Sequence, residues 1–261
     1  MASLPRVLSC GGMACTEPMK YAIIGDVHSN LEALTEVLRK AKELEVDQFL
    51  CIGDLVGYNA DPSVCLELVR DLNPVAVTRG NHDQHACAET DLAGFNPQAM
   101  KAVQWTREHL TEEERDWLGK LPYRQTVGAK ITLVHATLDM PEGWGYIFDR
   151  FTASASMGYQ VTPVCFFGHT HVPLVFEKGS DVTKGDIHED IILKPGHKYL
   201  INVGSVGQPR DGDPRASFAT YDSEERCVRV HRIEYDIAAC QAKIREAGLP
   251  ERLATRLETG H

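Results

Sequence analysis

Residues of metal-binding type recur in this chain at one kind of place, just past the end of an apolar run. Ile23-Ile24 leads into Gly25-Asp26-Val27-His28, Cys51-Ile52 into Gly53-Asp54, and Val75-Ala76-Val77 toward Arg79-Gly80-Asn81-His82-Asp83. Val134 leads into His135, and Phe166-Phe167 into Gly168-His169-Thr170-His171. Carboxylate, amide and imidazole donors without thiolate suit Mn, Fe or Zn better than Ca. Asp26, His28, Asp54, Asn81, His135, His169 and His171 are more donors than one tetrahedral ion uses. They fit two divalent ions that share one carboxylate, each with a position open to water or substrate. The D-x-H and H-x-H pairs sit at i and i+2, which point the same way in extended backbone. A buried histidine standing alone is usually a satisfied core residue, so His135 gains its weight from the other four tips. His85, His109, His188, His197 and His231 lack such neighbours and read as surface or structural.

The elements that must position these tips follow from periodicity. Tyr21–Ile24, Phe49–Ile52 and Val75–Val77 are short apolar runs, hence buried strands. Leu31–Leu44 has helical spacing, with Ser29 or Asn30 as its cap, and Pro62 opens a second helix through Leu72. Strands alternating with helices imply parallel βαβ units. Ligands bind at the carboxyl ends of such strands, and the glycines before the donors let the backbone turn there. Pro97–Leu118 reads as a helical pair, the second starting at Thr111 with a solvated face at Glu112–Glu114; Asp47 and Asp61 serve turns and helix starts. A strand pair around Gly128 follows, then strands at Pro163–Phe167, Val172–Phe176, Tyr199–Val203, Ala216–Tyr221 and Val228–Ile233. The tail from Asp236 to Leu257 is helical, interrupted at Gly248-Leu249-Pro250. There is no internal repeat and no linker. The expectation is an α/β protein with two mixed β-sheets face to face and helices outside, in one domain over residues 19–261 after a loose extension, residues 1–18.

With 261 residues and 43% hydrophobic content, the chain can bury a substantial core. Its net charge of -10 argues against duplex DNA or RNA as the main partner. No apolar run suits a membrane span, and the N-terminus is no convincing signal peptide. Val7-Leu8-Ser9-Cys10 is a poor lipoprotein box, because the apolar stretch before it is too short. The eight cysteines are scattered without C-x-x-C, which reads as reduced, partly buried thiols in a cytoplasmic protein.

D-x-H, G-D, G-N-H-D, a lone H after a strand, and G-H-T-H, in that order from Ile23 to about Val206, resemble the five motifs of the calcineurin-like metallophosphoesterases. The resemblance implies a first metal on Asp26, His28, Asp54 and His171. A second would lie on Asp54, Asn81, His135 and His169, with Asp54 bridging. It implies a hydroxide held between the ions that attacks phosphorus in line. His82 would bind phosphate or protonate the leaving oxygen, with Asp83 beside it as a partner that orients a neighbour. Mn or Fe is the favoured metal, with Zn also compatible.

The chain departs from the family pattern in places. Protein Ser/Thr phosphatases carry G-D-x-V-D-R-G where this chain has Gly53-Asp54-Leu55-Val56-Gly57-Tyr58, so the Asp that supports the catalytic His and an Arg that clamps phosphate are replaced. Ala136 stands where Gly commonly follows the fourth-motif His. The Gly-, Pro- and Asp-rich segment Asn202–Arg215 resembles the prokaryotic branch of the family. It shapes a turn beside the metals, or it brings Arg210 to the substrate phosphate as the lost planar donor. Arg79 is a second candidate for that contact. The expected activity is hydrolysis of a small soluble phosphate ester, a phosphodiester first. The rivals are a phosphomonoesterase or nucleoside-polyphosphate hydrolase, a protein phosphatase, and a non-catalytic scaffold of the same fold.

Overall fold

A computed structural model describes residues 18–88, 92 and 96–261. The expected N-terminal extension, its Val7–Cys10 box, Cys10 and Cys15 fall outside these, apart from Pro18. In chain order the strands are β1 (Lys20–Ile24), β2 (Gln48–Cys51), β3 (Ala76–Val77), β4 (Arg124–Val127), β5 (Ile131–Val134) and β6 (Val164–Phe167). Then come β7 (Leu174–Lys178), β8 (Val182–Lys184), β9 (Ile191–Ile192), β10 (Lys198–Asn202), β11 (Ala216–Asp222) and β12 (Cys227–Ile233). They form two six-stranded sheets, ordered β3-β2-β1-β11-β12-β9 and β4-β5-β6-β10-β7-β8. Both are mixed. β1, β2 and β3 run parallel, as do β5, β6 and β10, while β11 pairs antiparallel with β1 and β7 antiparallel with β10.

Alternation along each strand builds the layers. Ile23, Leu50 and Ile52 of the first sheet meet Leu133, Phe166 and Ile201 of the second in one buried cluster. The opposite faces go to helices. Ala22, Ile24 and Cys51 pack with Leu34 and Val37 of helix Leu31–Glu43. Cys165, Phe167 and Phe176 pack with Ala153 and Met157 of helix Arg150–Met157. Each large apolar side chain buried this way contributes about 1.5–3 kcal/mol. The two sheets therefore lie face to face with helices outside, as the sequence implied.

Local chemistry sets the boundaries. Asn30 caps the first helix, its side chain accepting from the Ala33 amide at 3.0 Å, whereas Ser29 Oγ has no partner. Thr111 and Glu114 form a reciprocal capping box at helix Glu112–Lys120. Asp61 precedes helix Pro62–Asp71 but makes no side-chain cap; its carboxylate instead takes Lys243 Nζ at 2.8 Å, with Glu32 on the same ammonium at 2.6 Å. That contact ties helix Ile237–Glu246 to the first two helices.

The structure differs from the sequence reading in several places. β3 is only two residues long, and Asn81 begins helix Asn81–Cys87 instead of ending a strand. β7 starts at Leu174, so Val172 belongs to the turn after His171. Helix Arg150–Met157 has too few large apolar residues to announce itself by periodicity, and the short strands β8 and β9 gave no pattern. Most important, D-x-H and H-x-H are not extended: Asp26, His28, His169 and His171 have φ of 49°, 49°, 66° and 58°. These are left-handed conformations that cost an L-residue energy and persist only where surrounding contacts impose them. The strain sits on the donors themselves, not on most of the glycines before them.

Candidate metal centre

The donor-bearing loops are stitched together through their backbones. The Asp26 amide donates to the Gly53 carbonyl at 3.0 Å and the His28 amide to the Asp54 carbonyl at 2.9 Å. The Gly207 amide donates to the Asp26 carbonyl at 2.8 Å, which brings in the loop after β10. Gly80 is required by close approach, since a Cβ there would lie 2.0 Å from Asp54 Oδ1. The helix that begins at Asn81 then places the His82 amide on Asp54 Oδ1 at 2.8 Å. Asp83 accepts from the Gly80 amide at 3.0 Å and the Leu55 amide at 2.8 Å, locking the second and third motif loops to each other.

Two sets of buried donor atoms result, each within 4.8 Å of one another: Asp26, His28, Asp54 and His171, and Asp54, His135 and His169. Asp54 belongs to both. Its Oδ2 stands 3.5 Å from His28 Nε2 and 3.2 Å from His135 Nε2, while His171 Nε2 is 3.3 Å from Asp26 Oδ1. Asn81, 8% exposed, carries a buried Oδ1 with no donor.

The imidazole tautomers follow from the partners, because a backbone carbonyl only accepts. His28 Nδ1 faces the Val56 carbonyl at 3.0 Å, His171 Nδ1 faces that of Gln208 at 2.6 Å, and His135 Nδ1 faces that of Ile52 at 2.8 Å. Each Nδ1 therefore carries a proton, which leaves the Nε2 atoms of His28 and His171 as lone pairs turned inward and the Nε2 of His135 facing Asp54. His169 is reversed: its Nε2 donates to the Trp144 carbonyl at 2.9 Å, leaving Nδ1 as the lone pair. His28 Nε2 and His171 Nε2 consequently face each other at 3.1 Å. Burial pushes both imidazoles well below the usual histidine range, which disfavours a second proton in that gap.

Charge tells the same story at the other atoms. Burial lowers His169 to about 3 and raises Asp26 to about 7. Burial would also lower His135, but the adjacent Asp54 carboxylate outweighs it and raises the imidazole to about 9. Burial alone would raise Asp54, but the imidazoles of His135, His82 and His28 around it outweigh that and hold it low. Asp54 and His135 thus demand a positive charge between them, and a proton takes that place where a cation does not. The lone pairs of His28, His171 and His169, beside an Asp54–His135 pair that holds a proton in a cation's place, fit divalent cations, and these residues could hold them.

The remaining site residues fall in different places. His82 is 3% exposed, stands edge-on to His28 at 4.8 Å and lies against Tyr58 at 4.3 Å. Gly57, at φ 94°, makes room for it, since a Cβ there would lie 2.5 Å from His82 Nδ1. A cleft of about 350 Å³ opens beside the donors, with Asn81, His82, Tyr58 and His169 on its wall. Asp83, expected beside the reacting groups, lies beneath them with its carboxylate on backbone amides. Arg79, expected at the substrate, is turned away: its guanidinium donates to Gln84 and the Gly119 carbonyl and lies over Tyr123. Arg210 does approach, donating to the Tyr58 hydroxyl at 3.2 Å and Gln208 Oε1 at 3.0 Å, its guanidinium 5.5 Å from the Tyr58 ring centre.

Sequence reasoning missed three contributors. Trp144 supplies the carbonyl for His169 from φ 53°, and the Tyr146 ring stacks on His169 at 4.2 Å. His85, read as surface or structural, stands on the cleft wall one turn after His82. The aromatic, glycine-flanked run Gly143-Trp144-Gly145-Tyr146 was the available signal for the first two, and the i, i+3 spacing from His82 for the third. Among the described residues, no helix is long and apolar enough to cross a membrane. The cysteines described there are unpaired and mostly buried, as expected.

The chain is similar to several known proteins. The Calcineurin-like phosphoesterase superfamily domain matches residues 19–226. The chain is 38% identical over 243 residues to an uncharacterized protein of Methanocaldococcus jannaschii, covering 92% of this chain and 97% of that one. The crystal structure of a metallophosphoesterase from Sphaerobacter thermophilus is similar at TM-score 0.83 and 42% identity, over 94% of this chain and all 100% of the other. A hypothetical protein of Pyrococcus horikoshii shares the fold at TM-score 0.76 and 22% identity, over 93% and 98% of the two chains. The chain belongs to the calcineurin-like phosphoesterase superfamily.

Proposed function

We propose that this protein hydrolyses small phosphate esters, a phosphodiester first among them, with two divalent cations held by its seven donors. The observation that carries the reading is the convergence of His28 Nε2 and His171 Nε2, 3.1 Å apart with both Nδ1 atoms on backbone carbonyls, on the carboxylates of Asp26 and Asp54, a geometry that suits a cation. Asp26, His28, Asp54 and His171 would hold one ion, and Asp54, Asn81, His135 and His169 the other. Bound there, divalent cations supply Lewis acidity toward phosphoryl oxygens and make water acidic near neutral pH. Mn or Fe fits the mixed oxygen and nitrogen donors, and Zn is compatible.

The chain's own groups do the rest. The carbonyls of Val56, Gln208, Ile52 and Trp144 fix the donor tautomers, and Asp83 fixes the loops. His82 completes neither donor set and faces the cleft, where it would hold a proton for the departing ester oxygen. Burial drives its imidazole down to about 4, against the pull of Asp54, and an anionic phosphate beside it would favour the charged form again. A diester gains from such a proton more than an aryl monoester does. Tyr58, in place of the protein-phosphatase Arg, removes one anchor for a doubly charged group. With the acidic chain, this weighs against phosphoproteins and extended nucleic acid.

One observation favours a second reading. Arg210 is held on Tyr58, so a guanidinium returns to the place where the motif lost one, which suits a phosphomonoester. The test is chelation followed by Mn addition, with bis-aryl and mono-aryl phosphates compared under matched metal. Chelation should abolish hydrolysis and Mn restore it; undiminished turnover by metal-free protein would sink the proposal. A monoester preference above about tenfold in kcat/KM, some 1.4 kcal/mol in the barrier, would select the second reading.

A further inference from the structure

The loop between β5 and helix Arg150–Met157 carries aromatic side chains for which hydrolysis alone has no use. Along it Tyr146 is out, Ile147 in and Phe148 out, at 51%, 1% and 51% exposed. Ile147 is rooted in the cluster with Leu138, Ala153 and Met157, so the two rings are held outward by a buried anchor. They lie parallel, 7° apart, with centroids 5.8 Å from each other. The loop is also fastened to the donors, by the Trp144 carbonyl on His169 and by the Tyr146 ring stacked on the same imidazole.

Tyr146 lines the same cleft as Asn81, His82 and His169, with Trp144 and Tyr58. Among the described residues no Lys, Arg, Asp or Glu lines that cleft. The described lining therefore suits an uncharged, flat substituent, with the one nearby guanidinium, that of Arg210, on the hydroxyl of Tyr58. Asn96 stands on the wall with its Oδ1 taken by the Gln98 and Ala99 amides at 3.1 and 2.9 Å, which leaves its amide nitrogen to donate. His85 adds a second polar group there. Flat faces with hydrogen-bonding groups around them are the chemistry that receives a heterocyclic base.

We propose that Tyr146 and Phe148 form a stacking platform for a nucleoside esterified to the phosphate that is cleaved. The proposal rests on the phosphoesterase reading and narrows its substrate to a nucleotide diester.

Calorimetry of the Mn-loaded full chain tests it first, with thymidine 5′-monophosphate against methyl phosphate. The nucleotide should bind about tenfold tighter, the lower end of what stacking on an aromatic ring contributes. Tyr146→Leu and Phe148→Ala should each shrink that advantage; equal affinities in the unaltered protein would overturn the platform. Turnover gives a second arm, using the 4-nitrophenyl esters of thymidine 5′-phosphate and of ethyl phosphate, which share a leaving group. Tyr146→Leu should lower the ratio of their kcat/KM values about tenfold. Equal losses on both would mean that Tyr146 acts only through His169, and would overturn the platform, as would an unchanged ratio in Phe148→Ala, which does not touch that imidazole. Turnover of the ethyl ester without preference for the nucleoside ester overturns the platform alone. Failure to turn over either ester overturns the hydrolytic reading, and calorimetry then decides the platform by itself.

Discussion

The two halves of the donor cluster use the same residue types but are held differently. In the inner half, Asp26, His28 and His171 are 0%, 0% and 2% exposed, and the carbonyls that fix the two imidazoles come from other loops of the same cluster. In the outer half, Asn81 and His169 line the cleft at 8% and 6% exposed, and His169 is fixed by a loop whose aromatic side chains reach solvent. The inner half is closed on itself and the outer half is shared with whatever enters the cleft. On the proposed reading, the inner set would hold its cation out of reach of solvent, and the outer set, with His135 buried but Asn81 and His169 on the cleft wall, would be the one that meets the substrate.

Asp54 is where the halves join, so changing it has the largest effect. Asp54→Asn should abolish metal-dependent turnover and release both ions, since it weakens each set at once. Metal analysis of the purified variant would show it; retention of both ions would separate the halves and break the comparison. His82→Ala comes next. It should keep the metal content and lose on the order of 10²–10⁴ in rate, the usual scale of general acid assistance. Loss of an ion in that variant would make His82 a donor of the outer half instead. Asn81→Ala sharpens the contrast, because it removes one donor from the outer half only. Bound Mn should fall from two equivalents to about one, with the inner ion kept. Arg210→Ala should have the smallest effect of the four, about tenfold in kcat/KM for a monoester and less for a diester, as measured with matched aryl phosphates. Equal losses on both would show that Arg210 merely steadies Tyr58.

The inner half was more legible in the sequence than the outer. Asp26, His28, Asp54 and His171, and His169 alone of the outer half, stand out because ligand types seldom follow apolar runs, and strands bring their ends to one edge whatever the loops do. The left-handed backbone of those residues was not legible, because a two-residue spacing cannot distinguish an extended chain from an alternating one. Asn81 could be named from its motif, but not as the first residue of a helix, since Asn81–Cys87 has no apolar period. The partners that fix the imidazoles are backbone carbonyls of Val56, Gln208, Ile52 and Trp144, to which residue identity is nearly silent. Arg79 shows the converse: its charge was plain, but its commitment to Gln84 and the Gly119 carbonyl depends on helices far apart in the chain.

Anomalous diffraction from crystals grown with Mn tests the central claim most directly. Two peaks should appear, one among Asp26, His28 and His171 and one among Asn81, His135 and His169, with the Asp54 carboxylate between them. A single peak, or none with His28 Nε2 still in contact with His171 Nε2, would contradict the two-metal account.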